Sequence, residues 1–598
     1  MSKTMRNKGI TAFLVVLTGL SCCFAVNIDS SKYITVDEIK PGMQAYCLTC
    51  YQGSKIEKFE IEVLSVVKGI SPGKDAIMVK GTDERFIHTG PVAGCSGSPV
   101  YIDGRLAGAL AFGWTFSKDP LYGVTPIAEM LAVGEGDYPA GENYISFDFS
   151  NVVDFAEIDR QIKSQSVVSN STPVGASVLL CPVITSGLPG KVCEQLDGEL
   201  RPLGMMAVAG GGSGASGSGD EDITLEPGSC LAVPLVTGDV KMTAMGTVTE
   251  VVGDKVYGFG HSFFGYGPVS FPLATGKIHT VVSSVARSFK LGSAVNIVGA
   301  LTVDESSAIR GTLGASVNMI PLTINVKRYN DAQERTYNCK VAENQTLTAK
   351  LMASAISGAA QMLGDMPPED TIRYKVSLQA QGCEPIVFEN MSTGAGINEM
   401  LLEIADVVSI LMNNSYNRVK ITSVDVDFAI SNKSSVSHIW SAELSDNKVK
   451  AGKKVKVDVI LESVLAGKKK YSYELAIPRG LKEGKYDLLI CGSESYQKFL
   501  SKAAGYKFNV QNFDTLLEAI NNILHIRRDC LYCLFVTETG GVVVEQSELA
   551  DLPSTKAMVL FDSKRTLEVS PYYHWQEKQF ELSTLVIDEK KLSITVEK

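Results

Sequence analysis

A six-residue turn at 94–99 constrains the fold of this chain more than any other segment. It reads Gly-Cys-Ser-Gly-Ser-Pro and runs into a predicted strand at 100–102. Glycines permit the unusual backbone dihedrals that a tight turn needs. Such a turn can aim the main-chain N–H groups of Gly94 and Ser96 at one point, as an oxyanion hole requires. The segment is either a nucleophile turn built around Ser96 or a Gly-Ser turn on the surface.

The composition indicates a globular, strand-rich protein. The chain has 598 residues, of which 45% are hydrophobic and 20% charged, and it contains 54 glycines. Length and composition predict about four domains rich in strands and turns. The formal net charge of -10 argues against a nucleic-acid partner, because such a partner requires a basic stripe.

The N-terminus is predicted to be a targeting segment. Three positive residues precede a mostly apolar stretch at 10–24, which is too short to span a bilayer comfortably. We expect a signal peptide at 1–25 that is cleaved after Ala25. The mature protein would then be exported to the periplasm, the cell envelope or the extracellular space. An uncleaved anchor is the alternative.

The cysteines do not favour a metal site. Cys47 and Cys50 form one C-x-x-C pair, and Cys530 and Cys533 form another. Both pairs lie in apparent strands, where residues three apart point to opposite faces. We therefore expect buried free thiols or scattered disulfides, and we expect neither a metal nor a cofactor.

Turn signals and changes of periodicity divide the rest of the chain into modules. Two strand-rich segments are joined by a connecting region with a Gly/Ser-rich linker, and three modules follow them. The predicted modules are a first strand-rich segment at 26–136, the connecting region at 137–225, a second strand-rich segment at 226–330, an α+β module at 331–440, a β-sandwich-like module at 441–510 and a C-terminal α+β module at 511–598.

A serine nucleophile needs a general base, which is usually a histidine. Two of the six histidines, His261 and His279, fall in the second strand-rich segment. His261 follows Gly260 and precedes Ser-Phe-Phe-Gly, a glycine-rich corner that can project an imidazole into a cleft. His279 occupies a strand position. A lone histidine is more often structural, so the spacing alone leaves His261 a candidate.

Longer stretches around these residues follow a known pattern. Residues 55–131 include "KIEKFEIEVLSVVKG", "GTDERFIHTGPVAGCSGSPVYIDGRLAGALA" and "DPLYGVTPIAEML", and residues 244–292 include "GFGHSFFGYGPVSFPLATGKIHTVV". These stretches resemble the serine-bearing and histidine-bearing halves of the SpoIVB-type serine peptidases. The resemblance covers roughly a third of the chain, and the two halves stand in permuted order relative to the sporulation peptidase that names the family.

The resemblance implies a fold and a set of roles. The fold would be mainly β, with a chymotrypsin-like double β-barrel followed by α+β and β-sandwich-like modules. Ser96 would be the nucleophile and His261 the general base, and Asp83, in a Thr-Asp pair, would orient the histidine. The N–H groups of Gly94 and Ser96 would form the oxyanion hole.

Two classes of function remain open from the sequence. The first is an exported serine endopeptidase that needs no cofactor and cleaves a protein or peptide, such as an envelope or membrane-associated protein. Self-processing within the flexible segment 210–222 would accompany that activity. The second is a non-catalytic envelope protein that keeps the peptidase fold as a binding scaffold.

Overall fold

The computed structural model describes residues 28–114, 117–136, 177–210, 223–463, 467–561 and 569–597, with isolated positions between 147 and 161. Strands make up 50% of the structure and helices 18%, which confirms the predicted mainly β class. The predicted signal peptide, and the predicted self-processing segment from residue 211 onward, lie outside the described residues.

The first strand-rich segment forms a closed barrel. Its strands pair in the order β5–β1–β2–β3–β7–β6, and β6 returns to β5 and closes a six-stranded ring. Alternate residues of each strand face inward, so that Phe59, Ile61 and Val63 of β2 lie in the core. The elements are β1 (Gln44–Thr49), β2 (Glu57–Ser71), β3 (Lys74–Gly81), α1 (Glu84–Thr89), β4 (Val92–Ala93), β5 (Pro99–Ile102), β6 (Arg105–Gly113), β7 (Leu121–Pro126), α2 (Ile127–Leu131) and β8 (Ser177–Val178), which pairs with β6.

The second strand-rich segment closes a barrel of its own. The ring runs β12–β13–β16–β15–β14–β11 and returns to β12, so the predicted double barrel is present. The antiparallel strands β12 and β13 form a hairpin that turns at Gly253. The elements of this part are β9 (Cys181–Ser186), α3 (Gly190–Leu200), β10 (Met205–Ala209), β11 (Cys230–Gly238), β12 (Lys241–Val252), β13 (Lys255–Gly258), β14 (Gly267–Val282), β15 (Ser288–Glu305) and β16 (Ala308–Leu313).

The sheet of the second barrel continues past residue 330 without a break. From β11 it extends through β18, β17, β21 and β19 to β20, and from β12 through β9 to β10. The helices α4 and α5 share its core. The additional elements are β17 (Met319–Arg328), β18 (Arg335–Ala342), α4 (Thr348–Gln361), β19 (Thr371–Ala380), β20 (Ile386–Thr393), α5 (Asn398–Met412) and β21 (Ile421–Ser431).

The C-terminal part is a two-sheet unit around one core. One sheet has the order β25–β24–β22–β30 and the other β23–β31–β26–β27–β28, with β29 paired to β27. Val457, Leu488 and Ile594 from the two sheets pack in the same cluster. The strands predicted for 441–510 are therefore completed by strands from 511–598. The elements are β22 (Val436–Leu444), β23 (Lys448–Lys450), β24 (Lys454–Ser463), β25 (Gly467–Ala476), β26 (Gly484–Cys491), α6 (Ser493–Ala503), α7 (Phe513–Leu524), β27 (Cys530–Val544), β28 (Ser547–Leu549), α8 (Ser554–Leu560), β29 (Val569–Glu581), β30 (Leu585–Val586) and β31 (Glu589–Glu597).

The helices of this fold are short. Among the described residues, none has the length and apolar character needed to cross a lipid bilayer.

The two barrels meet directly at the serine turn. β4 pairs in parallel with the start of β15, and Gly97 packs against the second barrel. Gly97 has a φ of +92°, and a Cβ atom there would lie 2.0 Å from the carbonyl oxygen of Thr247 and 2.5 Å from the nitrogen of Phe259. The barrels approach this closely because residue 97 has no side chain.

We predict that Gly97→Ala lowers the free energy of unfolding by more than about 3 kcal/mol, because a methyl group there collides with fixed backbone as well as adopting an unfavourable φ. Gly253→Ala is the matched control, since Gly253 also has a positive φ of 64° but nothing lies within 4 Å of its would-be Cβ. It should cost about 1 kcal/mol. Denaturant unfolding measures both changes, and equal costs would contradict the described packing.

Candidate active site

The serine turn is held by hydrogen bonds to its carbonyl oxygens. Thr247 Oγ1 donates to the oxygen of Gly94 at 2.9 Å, and Thr249 Oγ1 donates to that of Gly97 at 2.7 Å. The N–H of Thr247 donates to the oxygen of Ser96 at 3.0 Å. Both threonines belong to β12, so a strand of the second barrel fixes the orientation of the turn that belongs to the first.

The N–H groups on the same turn are treated differently. That of Gly97 donates to the oxygen of Leu110 at 2.8 Å. Within the described part of the chain, the N–H groups of Gly94 and Ser96 donate no hydrogen bond. These two N–H groups are the donors that the sequence predicts for an oxyanion hole, and in the structure both are without an acceptor.

Two serine hydroxyls lie in this turn, and both are buried. Ser96 and Ser98 each have 0% exposure, and neither Oγ atom has a hydrogen-bond partner. A buried hydroxyl without a partner costs stability. The main chain distinguishes the two residues, because Ser98 is bonded to Cys95 and Leu110 at the entry to β5, whereas Ser96 lies within the turn.

The corner that carries the histidine has a strained backbone. Phe259 has a φ of 66° and Gly260 a φ of 69°, and a left-handed conformation is rare for a bulky residue such as Phe259. The oxygen of Gly260 accepts a hydrogen bond of 2.6 Å from Thr125 Oγ1. Thr125 belongs to β7, so the first barrel holds the histidine corner of the second.

His261 itself is buried and held in one tautomer. Its ring is 5% exposed and stacks on Phe259 with a centroid distance of 5.9 Å. Its Nδ1 lies 2.7 Å from the carbonyl oxygen of Ser262. A carbonyl oxygen only accepts, so Nδ1 carries the proton and Nε2 is an acceptor. Nε2 has no hydrogen-bond partner.

Burial lowers the pKa of His261, while the backbone carbonyls of Ser262 and Leu179 act in the opposite direction. A lowered pKa keeps the imidazole neutral at pH 7, which is the form that a general base requires.

A residue that the sequence analysis missed anchors the loop after His261. Asp304, fully buried at the end of β15, accepts N–H bonds from Phe263 at 2.6 Å, Phe264 at 2.5 Å and Gly265 at 2.8 Å. Burial raises the pKa of this carboxyl group to about 6, and backbone N–H groups, those of residues 263–265 and of Tyr266, oppose the rise. The only sequence signal was an acidic residue at the end of an apolar strand.

Asp83 has a different environment from the one expected of a third catalytic residue. It is the N-cap of α1 and accepts from the N–H of Arg85. Its two carboxylate oxygens also bind the Arg85 guanidinium, at 3.0 and 2.9 Å. This arginine is the main reason that the pKa of Asp83 lies below its ordinary value. His261 Nδ1 is bonded to Ser262 instead, so the structure does not join Asp83 to His261.

The structure brings the serine and histidine segments together without a hydrogen bond between their side chains. Gly97 donates to the oxygen of Leu110, and a Cβ at Gly260 would lie 3.2 Å from that same oxygen. Because Ser96 Oγ and His261 Nε2 both lack a partner, the expected Ser96–His261 hydrogen bond is not formed here. His279 lies in β14 and is exposed.

No group of three or more histidine, cysteine or acidic side chains is placed to hold a metal within the part of the chain that the structure describes. The cysteines from Cys47 to Cys533 are free thiols, and all except Cys383 are buried.

Comparison with known families finds a similarity in the serine-bearing half. Residues 25–131 match the family model described as SpoIVB peptidase S55. This part of the chain is similar to the SpoIVB peptidases. The match includes Ser96 and the whole first barrel up to α2, and it supports a peptidase, which implies a protein substrate. Neither the curated proteins nor the solved structures provide a match for the chain.

We predict that the His261 ring titrates with a pKa below 6.5, the ordinary value for histidine, because burial disfavours the imidazolium. Its stabilising contribution should be present above pH 6.5 and be lost as the pH falls. NMR of protein labelled with ¹³C in its histidine rings measures the midpoint, and His261→Gln assigns the resonance. A midpoint above 6.5 would contradict the described environment.

Proposed function

We propose that the protein is an exported serine endopeptidase in which Ser96 is the nucleophile and His261 the general base. The observation that carries the proposal is that Ser96 Oγ and His261 Nε2 are both buried and both without partners, on segments that pack against each other. Buried polar groups are nearly always paired, and a reacting pair is one setting in which the cost of leaving them unpaired is repaid.

The proposed mechanism assigns a role to each of these groups. Ser96 Oγ attacks the scissile carbonyl carbon while His261 Nε2 takes the hydroxyl proton, and the N–H groups of Gly94 and Ser96 stabilise the oxyanion. His261 then gives the proton to the leaving amine, and water hydrolyses the acyl-enzyme by the same steps. The Ser262 carbonyl oxygen, which holds Nδ1–H, takes the orienting role that Asp83 was expected to have.

Substrate would enter through a cavity beside the serine turn. A cavity of about 220 Å³ has Ala93, the residue before Gly94, and Leu179 in its wall. Ile87 and Val285 also line it and are 61% and 98% exposed. The wall is otherwise largely polar, with Lys118, Asp119 and Arg287, and it includes neither Ser96 nor His261.

The site as described is closed. Ser96 is 0% exposed, and a Cβ at Gly94 would lie 3.3 Å from Cγ of Pro182. Leu179 is bonded to Ala111 next to the histidine corner. We infer that the segment 179–182 moves when substrate binds. The same burial favours the second candidate function, a scaffold that keeps the peptidase fold without its activity.

We predict that a small fluorophosphonate labels Ser96 in the wild type, that Ser96→Ala abolishes labelling, and that Ser98→Ala keeps most of it. Peptidase activity should fall about 10⁶-fold in Ser96→Ala, as is typical for loss of a serine nucleophile. Mass spectrometry locates the adduct. If the folded Ser96→Ala and Ser98→Ala variants lost labelling and activity equally, Ser96 would not be the nucleophile. If the wild type were not labelled before or after limited proteolysis, the scaffold function would be favoured.

Export and self-processing are parts of the same proposal. If the enzyme processes itself, wild type should show a cut within 210–222 that Ser96→Ala lacks, because segments of small and polar residues are preferred places for nicking. Intact-mass measurement of the two secreted proteins tests this. Identical fragments in both would exclude self-processing, and an N-terminus that retains residues 1–25 would exclude signal cleavage.

A further inference from the structure

Lys290 is a buried lysine that takes no part in the proposed catalytic steps. It lies in β15 with 0% exposure. Its Nζ is 2.7 Å from Thr49 Oγ1 and 3.1 Å from Thr247 Oγ1. Among the residues that the structure describes, no carboxylate lies within ion-pair distance of it. Burying an ammonium group without a counter-charge is costly, so a structural role alone explains it poorly.

The contacts of Lys290 fix the direction of one hydroxyl group. An ammonium group only donates hydrogen bonds, so Thr247 Oγ1 must accept from Lys290. The single hydroxyl hydrogen of Thr247 is then committed to the oxygen of Gly94, 2.9 Å away. The stem of Lys290 also packs on the turn, because a Cβ at Gly94 would lie 3.2 Å from Cβ of Lys290.

Lys290 is not placed as the general base. A Ser–Lys pair would require a hydrogen bond between its Nζ and Ser96 Oγ, but that oxygen has no partner. The ammonium group is bonded to two threonines instead. Any effect of Lys290 on Ser96 must therefore act through Thr247.

We propose that Lys290 is a positioning residue for the serine turn. It orients the Thr247 hydroxyl, which holds the Gly94 carbonyl turned towards β12 and leaves the Gly94 N–H free for the oxyanion. This inference rests on the proposed peptidase function.

The test is the second-order rate constant for fluorophosphonate labelling of Ser96 in the full chain, measured together with the thermal midpoint. Lys290→Met should lower the rate at least about tenfold, since losing one oxyanion donor costs about 10²–10³. Its midpoint should stay unchanged or rise, because an isolated buried charge is removed. A purely structural lysine would lower the midpoint instead. Lys74→Met is the matched control, because Lys74 also donates to a hydroxyl, that of Ser307, away from the turn.

Variants of Thr247 provide a second test, which remains available if Lys290→Met does not fold. Thr247→Val should lose rate to the same extent, and Thr247→Ser, which keeps the hydroxyl, should restore it. The double variant Lys290→Met/Thr247→Val should be no slower than Thr247→Val alone, because the two residues act as one unit.

Wild-type labelling in Lys290→Met or Thr247→Val would overturn the inference while leaving the proposed function intact, and so would losses that multiply in the double variant. Failure of the wild type to label at Ser96 would overturn both.

Discussion

The geometry of this site depends on hydrogen bonds that threonine hydroxyls of each barrel donate to carbonyl oxygens of the other barrel. Thr247 and Thr249 of the second barrel hold carbonyl oxygens of the serine turn, and Thr125 of the first barrel holds the carbonyl oxygen of Gly260 beside the histidine. Each barrel thus fixes the turn of the other barrel that carries Ser96 or His261. Neither turn keeps its geometry unless both barrels are folded and docked, which couples the stability of the interface to the chemistry.

The close contact between the barrels requires glycine at two positions, and it places Phe259 in a strained backbone conformation. Gly97 lies against the backbone of β12, and Gly246 lies under the ring of Phe259, where a Cβ would be 1.6 Å from a ring carbon. That ring stacks on His261, and Phe259 adopts a left-handed conformation that costs about 1–3 kcal/mol. The buried carboxylate of Asp304, with three N–H groups directed at it, stabilises the loop that follows. Packing and backbone contacts therefore position the histidine, and no carboxylate within the described residues forms a hydrogen bond with its ring.

The sequence predicted the parts of the fold that depend on local signals. Alternation and turn residues indicated the strands of both barrels. Asp83 was assigned by motif, yet its local sequence is that of a helix N-cap with Arg85 two residues later. Thr247, Thr249, Lys290 and Asp304 were not predicted because they act through contacts between distant segments. A threonine or lysine in a strand has no sequence pattern that reveals such a contact.

In the proposed mechanism, Ser96 and His261 form one reacting pair across the barrel interface. The most direct measurement is a crystal structure of the chain after reaction with a fluorophosphonate. We expect phosphorus bonded to Ser96 Oγ, a phosphoryl oxygen about 2.7–3.1 Å from the N–H groups of Gly94 and Ser96, and His261 Nε2 within hydrogen-bond distance of the adduct. An adduct on another residue, or a His261 ring more than roughly 10 Å from Ser96 Oγ with no segment able to close the gap, would contradict this mechanism, since proton transfer needs hydrogen-bond contact.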